Sequence, residues 1–308
     1  MNELKHVILG SNGIVGTEVY SALKAYSSNI KTVNKSNRGN YPQTHLADLT
    51  DLKQTVDAVQ GHDVVYLTAG VPYSASLWAQ YWPVIIDNVI NATLEVGARL
   101  VFFDNVYMYG KVDGWMTENT PFNPISKKGE VRAKIAQMVL DAIAYRNLSA
   151  LIARSADFYG YSDQSIPNVL VFDKLSKNEN PLLLVENDKK HTYTYAKDIG
   201  TSIAFLAQDE NNFKQTWHLP TDKNALTADE FAKLASESFG KRIPAQTLTK
   251  EVIAEIGKGD ELIGEFPEML YQNDSDYLFS SQKYENTFKK FPTPYETGVK
   301  ELASLYTK

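Results

Sequence analysis

Gly10-Ser11-Asn12-Gly13-Ile14-Val15-Gly16 is the stretch that decides how the rest of the chain is read. It follows a short apolar run, His6–Leu9, and opens a helical pattern with Val15, Val19 and Leu23 on one face. Strand, glycine turn and helix in that order suit a dinucleotide. One glycine permits the tight turn, one lets the backbone approach a pyrophosphate, and one lets the helix pack on the strand. The helix N-terminus adds amide donors and a partial positive charge. The spacing is G-x-x-G-x-x-G rather than G-x-G-x-x-G. A glycine triplet alone is a weak signal, and a purely structural turn is the alternative. Its place between strand and helix favours the cofactor.

Beyond this loop, the first half of the chain alternates strand and helix. Ile30–Asn34, Val64–Leu67, Leu100–Phe103 and Ala150–Ala153 are short apolar runs of the kind buried on both faces of a parallel sheet. Between them lie helical patterns over Leu52–Val59, Val84–Val96 and Val131–Ile143. Short connections imply right-handed crossovers and an α/β, Rossmann-type doubly wound parallel sheet. After about residue 160 the rhythm changes. Asp198–Ala207 reads as a helix and Thr216–Leu219 as a strand returning to the sheet. Thr227–Phe239 is a helix with Thr227 and Glu230 at capping-box spacing. The expected division is a dinucleotide domain over 1–160, with returns near 191–220. A smaller C-terminal substrate lobe would comprise 161–190 and 221–308.

Composition narrows the classes. The chain has 308 residues, 31 Lys plus Arg against 37 Asp plus Glu, a net charge of −6, and no cysteine. Disulfides, thiol nucleophiles, iron–sulfur clusters and cysteine-bound zinc are therefore excluded. No basic run offers a nucleic-acid footprint. No stretch approaches the roughly 18 apolar residues of a membrane helix, and the N-terminal apolar run is too short for a signal peptide. A cytoplasmic protein that binds a small molecule, with no metal, is the expectation.

The end of the second strand addresses the cofactor. NAD sites usually place an acid about 20 residues beyond the glycines, for the ribose hydroxyl. Here the segment is Val33-Asn34-Lys35-Ser36-Asn37-Arg38, with no acid before Asp48. Lys35, Ser36 and Arg38 could hold a 2′-phosphate. NADP is thus preferred to NAD, against the alternative of a merely solvated basic loop.

These residues resemble an extended or atypical short-chain dehydrogenase/reductase, of the NAD(P)-dependent epimerase/dehydratase superfamily. The glycine loop matches its G-x-x-G-x-x-G. Asp48-Leu49 matches the pair that holds adenine, and Thr68-Ala69-Gly70 stands at the strand-four cofactor loop. Asn88-Val89 with Thr93 resembles its N-V-x-G-T helix. Tyr109-Gly110 matches V-Y-G with Met108 in place of valine, and His191–Asp198 resembles the late segment ending in V-x-D. The resemblance spans roughly residues 5–240 and is specific over the first 135.

The catalytic positions depart from the pattern. Family members carry a Ser or Thr five residues before the V-Y-G glycine, then Y-x-x-x-K on the next helix. Asn105 occupies the first slot. Lys134 fits the lysine and would contact the nicotinamide ribose, which puts Glu130 where tyrosine belongs. Glu130 and Lys134 are also at the spacing of an ordinary helical ion pair. No tyrosine lies between Tyr109 and Tyr145. The missing hydroxyl would shuttle the proton and bind the developing alkoxide. Tyr107, after the fifth strand, is a substitute candidate, with core packing as its alternative.

On the substrate side, Asp157 and Tyr159 follow the sixth strand where the family has N-V-Y-G, and Arg154 keeps its arginine. Asp157 reads equally as a capped loop residue. His191 and Tyr193 are cleft candidates, although His191 reads more readily as a structural histidine. Trp78 and Trp82 suit core packing or an apolar cleft wall. Two functions follow from the resemblance. One is an NADP-dependent reductase or epimerase-like enzyme for a small carbonyl or hydroxyl compound, using Lys134, Asn105 and Tyr107. The other is an NADP(H) sensor without turnover, as in NmrA-like members. The family also implies a possible homodimer through Val131–Ile143.

Overall fold

β1 (His6–Leu9) is buried along its whole length and lies inside a seven-stranded sheet, with strands on both sides. Burial on both faces explains its unbroken apolar run: Val7 and Leu9 face one core, Ile8 the other. The computed structural model describes residues 3–37, 41, 43–161 and 165–307. β1 pairs in parallel with β2 (Ile30–Asn34) on one side and β4 (Val64–Leu67) on the other. β3 (His45–Leu46) extends the sheet beyond β2, and β5 (Arg99–Asp104) beyond β4. The strands Ala150–Arg154 and Gln215–His218 complete it, every neighbour parallel. The direction of winding reverses between β1 and β4, which opens a crevice at their carboxyl ends.

α1 (Ile14–Leu23) packs with the helix Ala196–Leu206 on one face. α2 (Leu52–Val59), α3 (Ala75–Val96) and α4 (Lys127–Tyr145) cover the other. The return of Gln215–His218 to the sheet and of Ala196–Leu206 to α1 places chain from beyond residue 190 inside the Rossmann layer.

α3 begins nine residues before Val84, the start suggested by its apolar spacing, and runs through Pro83. The hydrogen bond lost at proline is offset by burial of Trp78 and Trp82 on the preceding turns. Thr227 and Glu230 form the expected capping box at the start of the helix Ala228–Ser238. A third aromatic core, with Tyr159, Phe172, Phe231 and Tyr295, holds the C-terminal segments together. Among the described residues no helix is long and apolar enough to cross a membrane.

Candidate functional site

The glycine loop turns directly from β1 into α1. Gly10 has φ +93°, and a Cβ there would lie 2.3 Å from the Ala69 Cα. A Cβ at Gly16 would lie 2.3 Å from the Gly10 carbonyl oxygen. Only glycine lets the loop lie this close to Thr68-Ala69-Gly70, and the Thr68 hydroxyl donates to the Leu9 and Gly10 carbonyls at 3.2 Å. No side chain caps α1 at Gly13. The first-turn amides of Ile14, Val15 and Gly16 therefore have no capping side chain to satisfy them. The Oδ1 of Asn12 is buried without a partner. An uncapped helix end, a close-packed glycine turn and an orphaned polar atom together fit a bound pyrophosphate.

At the end of β2, Asn34 is committed to the loop. Its Nδ2 donates to the Ser11 hydroxyl at 2.7 Å, and its Oδ1 accepts from the Asn12 amide at 3.0 Å. Lys35 is exposed and pairs with Asp48 at 2.8 Å. That bond and the Thr50 amide hold the Asp48 carboxyl down at about 2. Ser36 is exposed beside it, and Arg38 lies outside the described residues. Asn88 is buried and donates to the Leu49 carbonyl at 2.9 Å, so it fastens the Asp48-Leu49 loop from beneath. Tyr41, which sequence reasoning passed over, donates to the Ser11 carbonyl at 2.8 Å.

A second cavity opens at the carboxyl ends of β4 and β5, with about 690 Å³ of space including its mouth. Tyr107, Asp157, His191 and Tyr193 line it together, joined by Tyr73 from the loop after β4. The His191 Nε2 donates to the Asp157 carboxylate at 3.1 Å. This fixes the ring orientation and leaves Nδ1 as the other nitrogen. The imidazole is stacked between Tyr193 and Tyr277, with centroids 4.5 and 4.3 Å away. Tyr107 stacks on Trp78 at 6.1 Å, and its hydroxyl is within hydrogen-bonding reach of Tyr73. Burial pushes the Tyr107, Tyr73 and Tyr193 hydroxyls well above the usual phenol range. All three stay protonated at neutral pH and can donate.

The structure does not bring Lys134 to this cleft. Lys134 is exposed on α4, on the face opposite the sheet. Glu130, in its expected partner slot, is exposed as well. The reason is the helical register. Ser126 caps α4 by accepting from the Gly129 amide at 3.0 Å, and this start turns Lys128 and Arg132 inward. These two share the i, i+4 spacing of Y-x-x-x-K, and the capping serine was the signal that could have found them.

Lys128 is fully buried and bound to Glu265 at 2.5 Å and Glu268 at 2.8 Å. Arg132 is bonded to the buried Asp104, which also takes Arg154 at 3.2 Å. Trp82 and Trp78 flank the Arg132 guanidinium, 4.8 and 5.9 Å away, so both tryptophans serve as packing around it.

Two other candidates take local roles. The Asn105 side-chain oxygen accepts from the Tyr107 amide at 3.1 Å, at the entry to the turn Tyr107–Tyr109. Tyr159 is absent from the cavity wall and buried in the third core, stacked on Tyr195 at 5.1 Å. Along the three-residue strand Asp157–Tyr159, Asp157 reaches the cavity and Tyr159 lies in the adjoining aromatic core, with Phe231 common to both.

A family model described as the NAD dependent epimerase/dehydratase family matches residues 6–219. Among solved structures, UDP-N-acetylglucosamine 4-epimerase from Bacillus cereus is 18% identical. The match covers 99% of this chain and 100% of that one, with a TM-score of 0.77. A UDP-glucose 4-epimerase from Thermus thermophilus, solved with NAD, is 16% identical over 99% of both chains, with a TM-score of 0.81. A dTDP-glucose 4,6-dehydratase from Streptomyces venezuelae, also with NAD, is 16% identical. It aligns over 99% of this chain and 97% of that one, with a TM-score of 0.79.

Proposed function

The chain belongs to the NAD dependent epimerase/dehydratase family, and from that premise we infer that it is a nicotinamide-dinucleotide-dependent oxidoreductase or epimerase-like enzyme acting on a small carbonyl or hydroxyl compound. The observation that carries this reading is the cavity after β4 and β5. There Tyr107 and the Asp157–His191 pair converge, one strand over from the glycine loop. When bound, the dinucleotide would supply the hydride donor or acceptor.

Gly10, Asn12, Gly13, Ile14, Val15 and Gly16 would hold its pyrophosphate, Asp48-Leu49 its adenine end, and Thr68-Ala69-Gly70 the middle of its path. Lys35 and Ser36 would meet a 2′-phosphate, with Lys35 exchanging its bond to Asp48 for one to phosphate. NADP is preferred on that ground, and on the commitment of Asn34 to the glycine loop.

The protonated Tyr107 hydroxyl donates to the substrate oxygen, in the role the absent tyrosine plays elsewhere in the family. Asn105 positions Tyr107 through its backbone amide. His191, oriented by Asp157 and stacked on Tyr193, holds or moves the proton.

The test is a pair of NADPH and NADH titrations, followed by hydride exchange over a panel of carbonyl compounds. NADPH is expected to bind the tighter, and Lys35→Ala to narrow the gap. Tyr107→Phe should lower turnover about a hundredfold with dinucleotide affinity unchanged. Unchanged turnover would remove Tyr107 from the chemistry.

The sensor reading draws on a separate observation. Lys128 and Arg132, at the spacing of the catalytic pair, are both closed into ion pairs. Tight dinucleotide binding with no hydride exchange over the whole panel would favour it.

A further inference from the structure

Taking the Tyr107 cavity as the substrate site, the charge inside it selects its occupant. Among the described residues no lysine or arginine lines it. Leu170, Leu184, Phe231 and Met269 supply an apolar wall. Its polar side carries tyrosine hydroxyls, the Asp157–His191 pair and the uncharged amides of Gln272 and Asn273, the Gln272 Nε2 being a buried donor without a partner. The nearest cations are held away from it: Lys128 by Glu265 and Glu268, and Arg132 and Arg154 by the one carboxylate of Asp104, none of them lining the cavity. A diphosphate entering this chamber would lose its water beside the Asp157 carboxylate and find no cation in exchange, which is strongly unfavourable. A neutral carbonyl faces no such loss. Its oxygen can accept from a protonated tyrosine while its flanks displace water from leucine and phenylalanine.

We propose that the cavity takes an uncharged, largely apolar ketone or secondary alcohol, its oxygen held by the Tyr107 hydroxyl, and that it rejects nucleoside-diphosphate sugars. Substrate class is thereby set by the cavity wall, independently of which dinucleotide the glycine loop binds.

The experiment uses the full chain and first establishes dinucleotide binding by titration, so that failure of the cofactor reading is seen separately. Acetophenone, cyclohexanone, UDP-glucose and phenethylamine are then titrated calorimetrically against the NADPH-loaded chain, and again without dinucleotide. At least one ketone is expected to bind more than about tenfold tighter than UDP-glucose. Leu184→Asp and Leu170→Asp, made separately in case one fails to fold, should each weaken the ketone about tenfold while NADPH affinity stays within about twofold. UDP-glucose binding as tightly as the ketones overturns the proposal. So does tighter binding of the amine, or the absence of ketone binding in a folded chain.

Discussion

Lys134 and Arg132 lie two positions apart on α4, and the helix sends them to opposite environments. Arg132 is buried against Asp104, whereas Lys134 stands in solvent. Two residues along an α-helix is a rotation of about 200°, so both cannot face the sheet. The consequence is a sharp contrast between neighbours. Lys134→Ala should leave stability within about 0.5 kcal/mol of the parent and dinucleotide affinity unchanged. Asp104→Ala leaves two guanidinium groups buried without their carboxylate and should cost about 3–5 kcal/mol. Urea unfolding with a parallel NADPH titration reads both. A tenfold loss of NADPH affinity in Lys134→Ala would return that lysine to the cleft.

Elements were legible in the sequence where burial is two-sided, and were missed where a cap or a short strand decides the geometry. β1, β4 and β5 are unbroken apolar runs because both sheet faces are covered, and such runs stand out in any reading. The glycine loop was legible for a related reason, since Gly10 and Gly16 each answer to a close backbone approach that no other residue permits. Gly10→Ala probes that approach directly, because its Cβ meets Ala69 backbone at 2.3 Å with φ at +93°. The expected cost is about 2–4 kcal/mol, together with loss of dinucleotide binding. Gly70→Ala is the control, since nothing lies within 4 Å of its Cβ and its φ is ordinary. Equal melting temperatures for the two variants would show that the close approach costs nothing. Three features were not legible. The apolar stripe of α4 is buried as its spacing implies, but Lys128 lies ahead of that stripe, on the turn that Ser126 caps. The strand Asp157–Tyr159 has only three residues and a charged start, and it exists because Tyr193–Tyr195 pairs with it. Glu265 and Glu268, which reach Lys128 from more than 130 positions away, belong to no local motif.

Across the whole molecule, a buried chain of polar contacts ties the central sheet to the C-terminal segments, and it sets how stability responds to acid. Asp104 bonds Arg154, Arg154 donates to the Tyr109 hydroxyl at 2.9 Å, and that hydroxyl meets the His218 Nε2 at 2.9 Å. The His218 Nδ1 donates to the Ser280 carbonyl at 2.9 Å, which in the neutral ring leaves Nε2 to accept from the Tyr109 hydroxyl. Burial, with Arg154 nearby, pushes His218 down to about 3. His6, also fully buried, is pushed down to about 4 by burial and by Arg99. Both folded values lie below the ordinary 6.5, so the unfolded chain binds more protons over the interval. Stability is therefore full above pH 6.5 and falls as the pH drops toward 4. Each histidine contributes about 1.4 kcal/mol per pH unit in that window, or roughly 4 kcal/mol for the pair by pH 5. Glu18 and Asp198, raised by burial, act in the opposite sense. His45 and His62, lowered chiefly by burial, act in the same sense as His218 and His6. Urea midpoints at pH 7.5, 6 and 5 should decline steadily, and His218→Gln should remove a measurable share of the decline, since the amide keeps a donor and an acceptor without titrating. A midpoint that is flat with pH in the parent would mean that these rings are protonated in the fold, and that the Tyr109–His218–Ser280 chain is not a neutral relay.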